Sequence, residues 1–295
     1  MSENVEIPSL EDVIPIVNFR PILPGCNPNL YRSSAPEAAA AKIDLSDAEL
    51  EEAEEFVLKE VHMIVDLRQG VEGHVAMKEK LVQSALGGVF EVHADEVPEE
   101  FQAGQRYMVR IDFLGRGGNF MDFIDRNWLS PNELEGLDEK QVFQKRRSSF
   151  NSRGLAGLNV VLLEQKESMF LVLKLITQYL EQAPDAKLLV HCTAGKDRTG
   201  MVCMLLQCVA GFTEEQIISE YIISEAEAKH ITAQALKNHK NSFVDPEIMS
   251  GADTAGINGA LSHLQEKYGG VETYLDDIGF DLSWRERLKK VLVKL

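Results

Sequence analysis

The chain has 295 residues, 44% of them hydrophobic, enough to bury a sizeable core in one large domain or two small ones. Its 47 acidic residues against 30 basic ones give a formal charge of −17, which argues against a nucleic-acid partner and against unspecific adhesion to anionic membranes. Cys26, Cys192, Cys203 and Cys208 form no disulfide or zinc pattern, and no apolar run reaches membrane-spanning length.

Residues 1–14 read as a polar, acidic, flexible tail, and the start lacks a basic-then-apolar leader, so a cytoplasmic protein is the expectation. Ile16–Arg20 and Leu30–Arg32 are short strand candidates split by Pro21, Pro24, Gly25 and Pro28. Ser46 and Glu49 make a capping box for a helix to about Val61. The apolar run His62–Leu67 reads as a buried strand. Its end carries Asp66 and Arg68, where ligands of open α/β sheets sit, so Arg68 is a candidate organiser of a ligand site. Residues 71–84 read as a helix, and Val89–Ala94 and Tyr107–Leu114 as strands.

From Gly115 to Arg153 the pattern is the least regular: three glycines, then Phe120, Phe123 and Trp128, then the basic triplet Lys145-Arg146-Arg147. Residues 115–153 are the natural candidate for a lid insertion within a single domain over 15–295. A helix is expected within Leu155–Leu180, another from Thr213, boxed by Gln216, and further helices over 231–239, 257–268, 271–278 and 283–293. The reading is one α/β domain with a mostly parallel sheet of four or five strands flanked by helices, and a helical C-terminal third.

Chemistry concentrates in His191-Cys192-Thr193-Ala194-Gly195-Lys196-Asp197-Arg198-Thr199-Gly200. The strand Lys187–Val190 precedes it and the apolar run Met201–Val209 follows, so the motif sits on a strand-to-helix turn. Such a turn can wrap its backbone into a cup whose N–H groups point inward and hold a tetrahedral oxyanion. The helix dipole and nearby cations favour the nucleophilic thiolate of Cys192, which could attack phosphorus and form a phosphocysteine. Arg198 offers a planar fork for two equatorial oxygens, Lys196 adds charge at the rim, and Thr193, Ala194 and Gly195 supply amides. Thr199 could donate to the Cys192 sulfur, and His191 could orient the loop. A cysteine after a buried strand is usually an inert core residue; the Gly, Lys, Arg and Thr at phosphate-nest spacing are what argue otherwise here. Cys203 and Cys208, in the following helix, read as core residues.

The whole pattern resembles the cysteine-dependent phosphatases whose loop reads H-C-x-x-G-K-D-R-T-G, a tyrosine and lipid phosphatase type of bacteria, fungi, plants and protists. Asn18-Phe19-Arg20, Leu30-Tyr31-Arg32-Ser33-Ser34, Val65-Asp66-Leu67-Arg68, Glu220-Tyr221 with Ser224, and Tyr268-Gly269-Gly270 leading to Tyr274-Leu275 fall in the family's order. The resemblance implies a tyrosine-phosphatase-like fold and a phosphate monoesterase needing no metal or other cofactor. Its substrate would be a phosphotyrosine protein, with phosphoserine, phosphothreonine or a phosphoinositide as further choices.

Such chemistry needs a general acid, because a phenolate or alkoxide leaves poorly unprotonated. No Trp-Pro-Asp element is present; the candidates, in order, are Asp197, Asp112 and Asp95. Without an assigned acid, a non-catalytic phosphate-binding module is the reading of another class, and a sulfur-transfer protein shares the idea of a loop thiolate. Nothing in the sequence addresses the oligomeric state.

Overall fold

A computed structural model of the chain describes residues 16–35, 60–68, 89–93, 98–102, 104–113, 119–224, 243, 245 and 254–293. The tail, the expected helices over 71–84 and 231–239, most of that over 46–61, and Asp95 lie outside these residues.

Six strands form one sheet: β1 (Arg20–Leu23), β2 (Asn27–Ser33), β3 (Val61–Asp66), β4 (Val89–His93), β5 (Arg106–Arg110) and β6 (Lys187–His191). Their order is β1-β2-β6-β3-β5-β4, with β1 antiparallel at one edge and the other neighbours parallel. The sheet is thus mostly parallel as expected, with six strands in place of four or five. β6 lies at the middle, and Leu188, Leu189 and Val190 are fully buried; each such side chain contributes about 1.5–3 kcal/mol.

The first strand departs from the sequence reading. It begins at Arg20 and takes in Pro21, because Asn18 adopts a left-handed φ of 61° that stops any strand through Ile16–Arg20. Proline is tolerated there because the strand is an edge. β5 ends at Arg110, four residues earlier than expected.

The segment from Gly115 to Arg153 is regular where described. It holds α1 (Asn119–Trp128), the short α2 (Pro131–Leu134) and α3 (Glu139–Asn151). Two capping boxes, Ser130 with Glu133 and Asp138 with Gln141, start α2 and α3. The aromatic residues pack on one another: Phe123 on Trp128, and Phe120 and Trp128 on Phe150. Lys145 pairs with Glu133 at 3.2 Å and Arg146 with Asp125, so much of the basic triplet's charge meets neighbouring carboxylates.

The helix expected within Leu155–Leu180 is α5 (Lys166–Gln182), and a further helix, α4 (Gly154–Leu163), precedes it across a break at Glu164-Gln165. The helix after the loop is α6 (Asp197–Ala210) and the Thr213-capped helix is α7 (214–224). The C-terminal helices follow as α8 (Ala255–His263), running on into a π-helical turn at Leu264–Tyr268, then α9 (Val271–Asp277) and α10 (Leu282–Leu292). No helix among the described residues is long and apolar enough to cross a membrane.

Candidate active site

The parallel strands end at a common edge. Register places Ser33, His191, Asp66, Arg110 and His93 in one row across it, and the loop from Cys192 to Lys196 leaves the sheet there before α6 begins. Gly200 N donates to Lys196 O at 2.7 Å, so Lys196 opens the helix and the loop amides sit at its positive end.

What holds the loop open is visible in its carbonyls. Thr193 O accepts from Ala35 N at 3.0 Å, Ala194 O from Asn18 Nδ2 at 2.7 Å and Gly195 O from Arg32 Nη2 at 2.6 Å. In a planar trans peptide the N–H points opposite to the C=O. Drawing three successive carbonyls toward β2 and the Asn18 turn therefore aims the amides of Ala194, Gly195 and Lys196 the other way, as an oxyanion nest requires. Gly195 completes the loop at φ 66°, where an added Cβ would lie 2.3 Å from Ser33 O. No side chain fits.

Cys192 is buried at the base of the loop, 2% exposed. Arg198, half-buried in the first turn of α6, donates from Nη1 to Leu67 O at 3.3 Å and from Nη2 to Thr193 Oγ1 at 3.2 Å, which stretches its guanidinium between the end of β3 and the loop. His191 is fully buried, its Nδ1 3.2 Å from Cys192 O; with the proton on Nδ1 it donates to that carbonyl and steadies the cysteine's peptide.

Three others need correction. Lys196, expected at the rim, is 2% exposed, with Nζ 4.0 Å from Asp197 Oδ1. Thr199 is fully buried and its Oγ1 has no hydrogen-bond partner, so the expected bond to the Cys192 sulfur is not formed. Arg68 is committed to Asp66: Nε donates to Oδ1 at 2.9 Å and Nη2 to Oδ2 at 3.1 Å, both side chains being buried. Asp66 also faces Arg110, at 3.8 Å, and His191, at 4.0 Å. Arg68 thus borders the loop through that carboxylate.

Of the aspartates, Asp197 stands in the first turn of α6, its side chain 14% exposed and its Oδ1 without a hydrogen-bond partner. Asp112 lies two residues beyond β5 on the same sheet edge, its carbonyl accepting from Ser168 Oγ at 3.0 Å.

Sequence reasoning assigned no role to Asn18, Arg20, Arg32, Asp66 or Glu220, although all stand in segments that carried the family resemblance. Arg32 is fully buried; burial works against its charge, but Cys203, Glu220 and Cys192 beside it outweigh that and hold its pKa above the ordinary value. Tyr221 packs: its ring would touch a Cβ at Gly200 at 2.7 Å, and its hydroxyl accepts from Asn159 Nδ2 at 3.0 Å. Burial pushes the Cys203 and Cys208 thiols up to about 12, which fits core residues and not nucleophiles. Among the described residues no group of three or more His, Cys, Asp or Glu side chains is arranged to hold a metal ion.

With that geometry in view, a model of the tyrosine phosphatase family matches residues 29–294, nearly the full chain and the whole loop. The chain belongs to that family. It is similar to a tyrosine-protein phosphatase of Nostoc commune, 34% identical over 161 residues, which cover 51% of this chain and 53% of the relative. It is also similar to a triple specificity protein phosphatase of Mycobacterium tuberculosis, 27% identical over 119 residues, 36% of this chain and 43% of the relative. The chain spans about half the length of the curated relatives it matches.

Proposed function

We propose that the protein is a cysteine-dependent phosphatase that hydrolyses phosphotyrosine in proteins, and phosphoserine or phosphothreonine as secondary substrates, through a phosphocysteine intermediate. The observation that carries this reading is the loop itself: its carbonyls are drawn outward so that three successive amides turn the other way, a buried cysteine stands at its base, and the Arg198 guanidinium is held against Thr193 of the same loop. The amides and Arg198 hold the phosphoryl oxygens while Cys192 Sγ attacks phosphorus in line, and they stabilise the charge that spreads over those oxygens. Asp197 is the proton donor to the leaving phenol: it is next to the loop, and its Oδ1, 4.0 Å from Lys196 Nζ, accepts no hydrogen bond among the described residues. Water then attacks the phosphocysteine, with the same aspartate taking the proton; the Thr199 hydroxyl, having no partner at rest, is available to the departing sulfur.

Phosphoprotein fits better than phosphoinositide because Lys145 and Arg146 pair with carboxylates of neighbouring helices, which weakens the argument for a basic arm meeting a second phosphate. We take residues 15–295 as one domain, with the α1–α3 segment as the cover of the site, and place the protein in the cytoplasm because a nucleophilic thiol suits a reducing compartment.

The test is phosphate release with EDTA present, by wild type and Cys192→Ser, from phosphotyrosine, phosphothreonine and phosphoinositide substrates. Release by the wild type alone, greatest from phosphotyrosine, is expected. A fully active Cys192→Ser protein would overturn the mechanism, and tight phosphopeptide binding without release would make the protein a binding module.

A further inference from the structure

Two of the three bonds that aim the loop amides lead back to one carboxylate. Glu220, on α7, accepts from Arg32 Nη1 through Oε2 at 2.7 Å, and Arg32 in turn donates to Gly195 O. Through Oε1 it accepts from Arg20 Nε at 2.8 Å. Arg20 Nη1 reaches Asn18 Oδ1 at 3.2 Å and Asn18 O at 3.3 Å, and Asn18 Nδ2 donates to Ala194 O. Arg20 Nη2 also reaches Ser224 Oγ and Glu220 O on α7, at 2.5 and 3.1 Å. One carboxylate, two guanidinium groups and one carboxamide therefore fix the Ala194-Gly195 and Gly195-Lys196 peptides from outside the loop.

The chemistry of these groups makes the arrangement directional. A guanidinium offers donors in a rigid fork, so Arg32 can bridge an acceptor on α7 and one on the loop at fixed separation. The Arg32 side chain is wholly buried and that of Glu220 is 12% exposed, so water competes little for either bond. The two arginines tie α7 to β1 and β2, and Arg32 carries that tie on to the loop through Gly195 O.

We propose that Glu220 is a positioning residue for oxyanion binding, holding two loop peptides in register through Arg32 and through Arg20 with Asn18. This rests on the phosphatase reading above, and it makes α7, far from the loop in sequence, part of the machinery that sets phosphate affinity. In Glu220→Gln one acceptor oxygen becomes a donor facing an arginine, so one of the two links is lost while side-chain volume is kept.

The experiment measures tungstate binding by calorimetry, and steady-state kinetics on a phosphotyrosine peptide, for wild type, Glu220→Gln, Arg32→Lys, their double variant and Arg20→Ala. Glu220→Gln is expected to weaken tungstate by about 10–100-fold, the usual cost of removing the outer partner of a site's ligand, with KM rising in step and the melting midpoint of the folded protein little changed. Arg32→Lys keeps the charge but cannot bridge both acceptors, so it should not rescue. The double variant should weaken tungstate by less than the product of the two single effects, because the two changes share the Arg32 link. Arg20→Ala, a change at a partly exposed site, should weaken tungstate by releasing Asn18, which keeps the proposal testable if a buried variant fails to fold. Unchanged tungstate affinity in folded Glu220→Gln or in Arg20→Ala, or multiplying effects in the double variant, would overturn it. If the wild type binds tungstate but releases no phosphate, the phosphatase reading falls and the positioning role stands on affinity; if it binds none, both fall.

Discussion

Arg68 and Asp66, two residues apart at the end of β3, face each other as a doubly hydrogen-bonded pair sealed from solvent. The same carboxylate accepts from Arg68 N at 3.1 Å, faces Arg110, and lies beside His191, just before the Cys192–Lys196 loop. It is the charge around which the sheet edge is assembled. Arg68 and Arg110 both face that single carboxylate.

Asp66→Asn keeps the shape and removes that charge from a fully buried position. Breaking a buried pair from one side costs about 3–5 kcal/mol, because the surviving cation stays desolvated. The melting midpoint should fall by on the order of 10 °C, and differential scanning calorimetry would show it. A midpoint within a degree or two of wild type would mean the pair contributes little.

Gly195→Ala tests the loop from inside. The residue stands at φ 66° and a Cβ would lie 2.3 Å from Ser33 O and 2.6 Å from Ser34 N, both backbone atoms that cannot swing aside. The left-handed conformation costs a non-glycine residue about 1–2 kcal/mol, and the clash must push the loop off β2. A shift of that kind should lower kcat/KM for aryl phosphates by about 100-fold while circular dichroism stays native. Wild-type activity in this variant would show that the cup is not fixed where the structure has it.

Which of these features the sequence could disclose follows from their range along the chain. Cys192, Gly195, Arg198 and Thr199 lie within eight consecutive residues on a strand-to-helix turn, so spacing and residue type were sufficient to place them. The parallel sheet and the C-terminal helices were legible because apolar runs and capping boxes are local signals. The supports of the loop were not: Arg32 meets Gly195 across 163 positions and Glu220 across 188, and a lone arginine in a strand announces no partner. Lys196 stands among polar residues in the loop and so reads as a rim charge, whereas its side chain is buried, a property of the tertiary packing that spacing does not carry. The segment 115–153 looked irregular because Gly115, Gly117, Gly118 and Pro131 outweighed its caps, although Ser130 with Glu133 and Asp138 with Gln141 were present to be read.

Asp197→Asn tests the proposed proton donor apart from the rest of the loop. General acid catalysis is worth about 100- to 10,000-fold, and the loss falls on substrates whose leaving group most needs the proton. Turnover of a phosphotyrosine peptide should therefore drop by about that factor, while p-nitrophenyl phosphate, whose phenolate leaves readily, is spared. If Asp112→Asn shows this behaviour and Asp197→Asn does not, the donor comes from the end of β5.

The junction between α4 and α5 carries the clearest pH dependence in the fold. Glu164 Oε1 accepts from His263 Nε2 at 2.7 Å, Lys267 Nζ at 2.8 Å and Tyr268 Oη at 2.7 Å, so one carboxylate, its side chain 7% exposed, clamps the π-helical turn at Leu264–Tyr268 onto the break between the two helices. Burial alone would raise its pKa, but the three donors outweigh burial and lower it from 4.5 to about 2. A carboxylate lowered in this way stabilises the folded state fully above its unfolded value, and that contribution drains away as the pH falls from about 4.5 toward 2. The difference amounts to roughly 3 kcal/mol at neutral pH. Glu164→Gln removes the titrating group, so urea unfolding at pH 7 should find it less stable by up to that amount, and the gap from wild type should close as the pH is lowered from 4.5 to 2.5. Stability curves that stay parallel across that window would show that the clamp holds its turn by packing and not by charge.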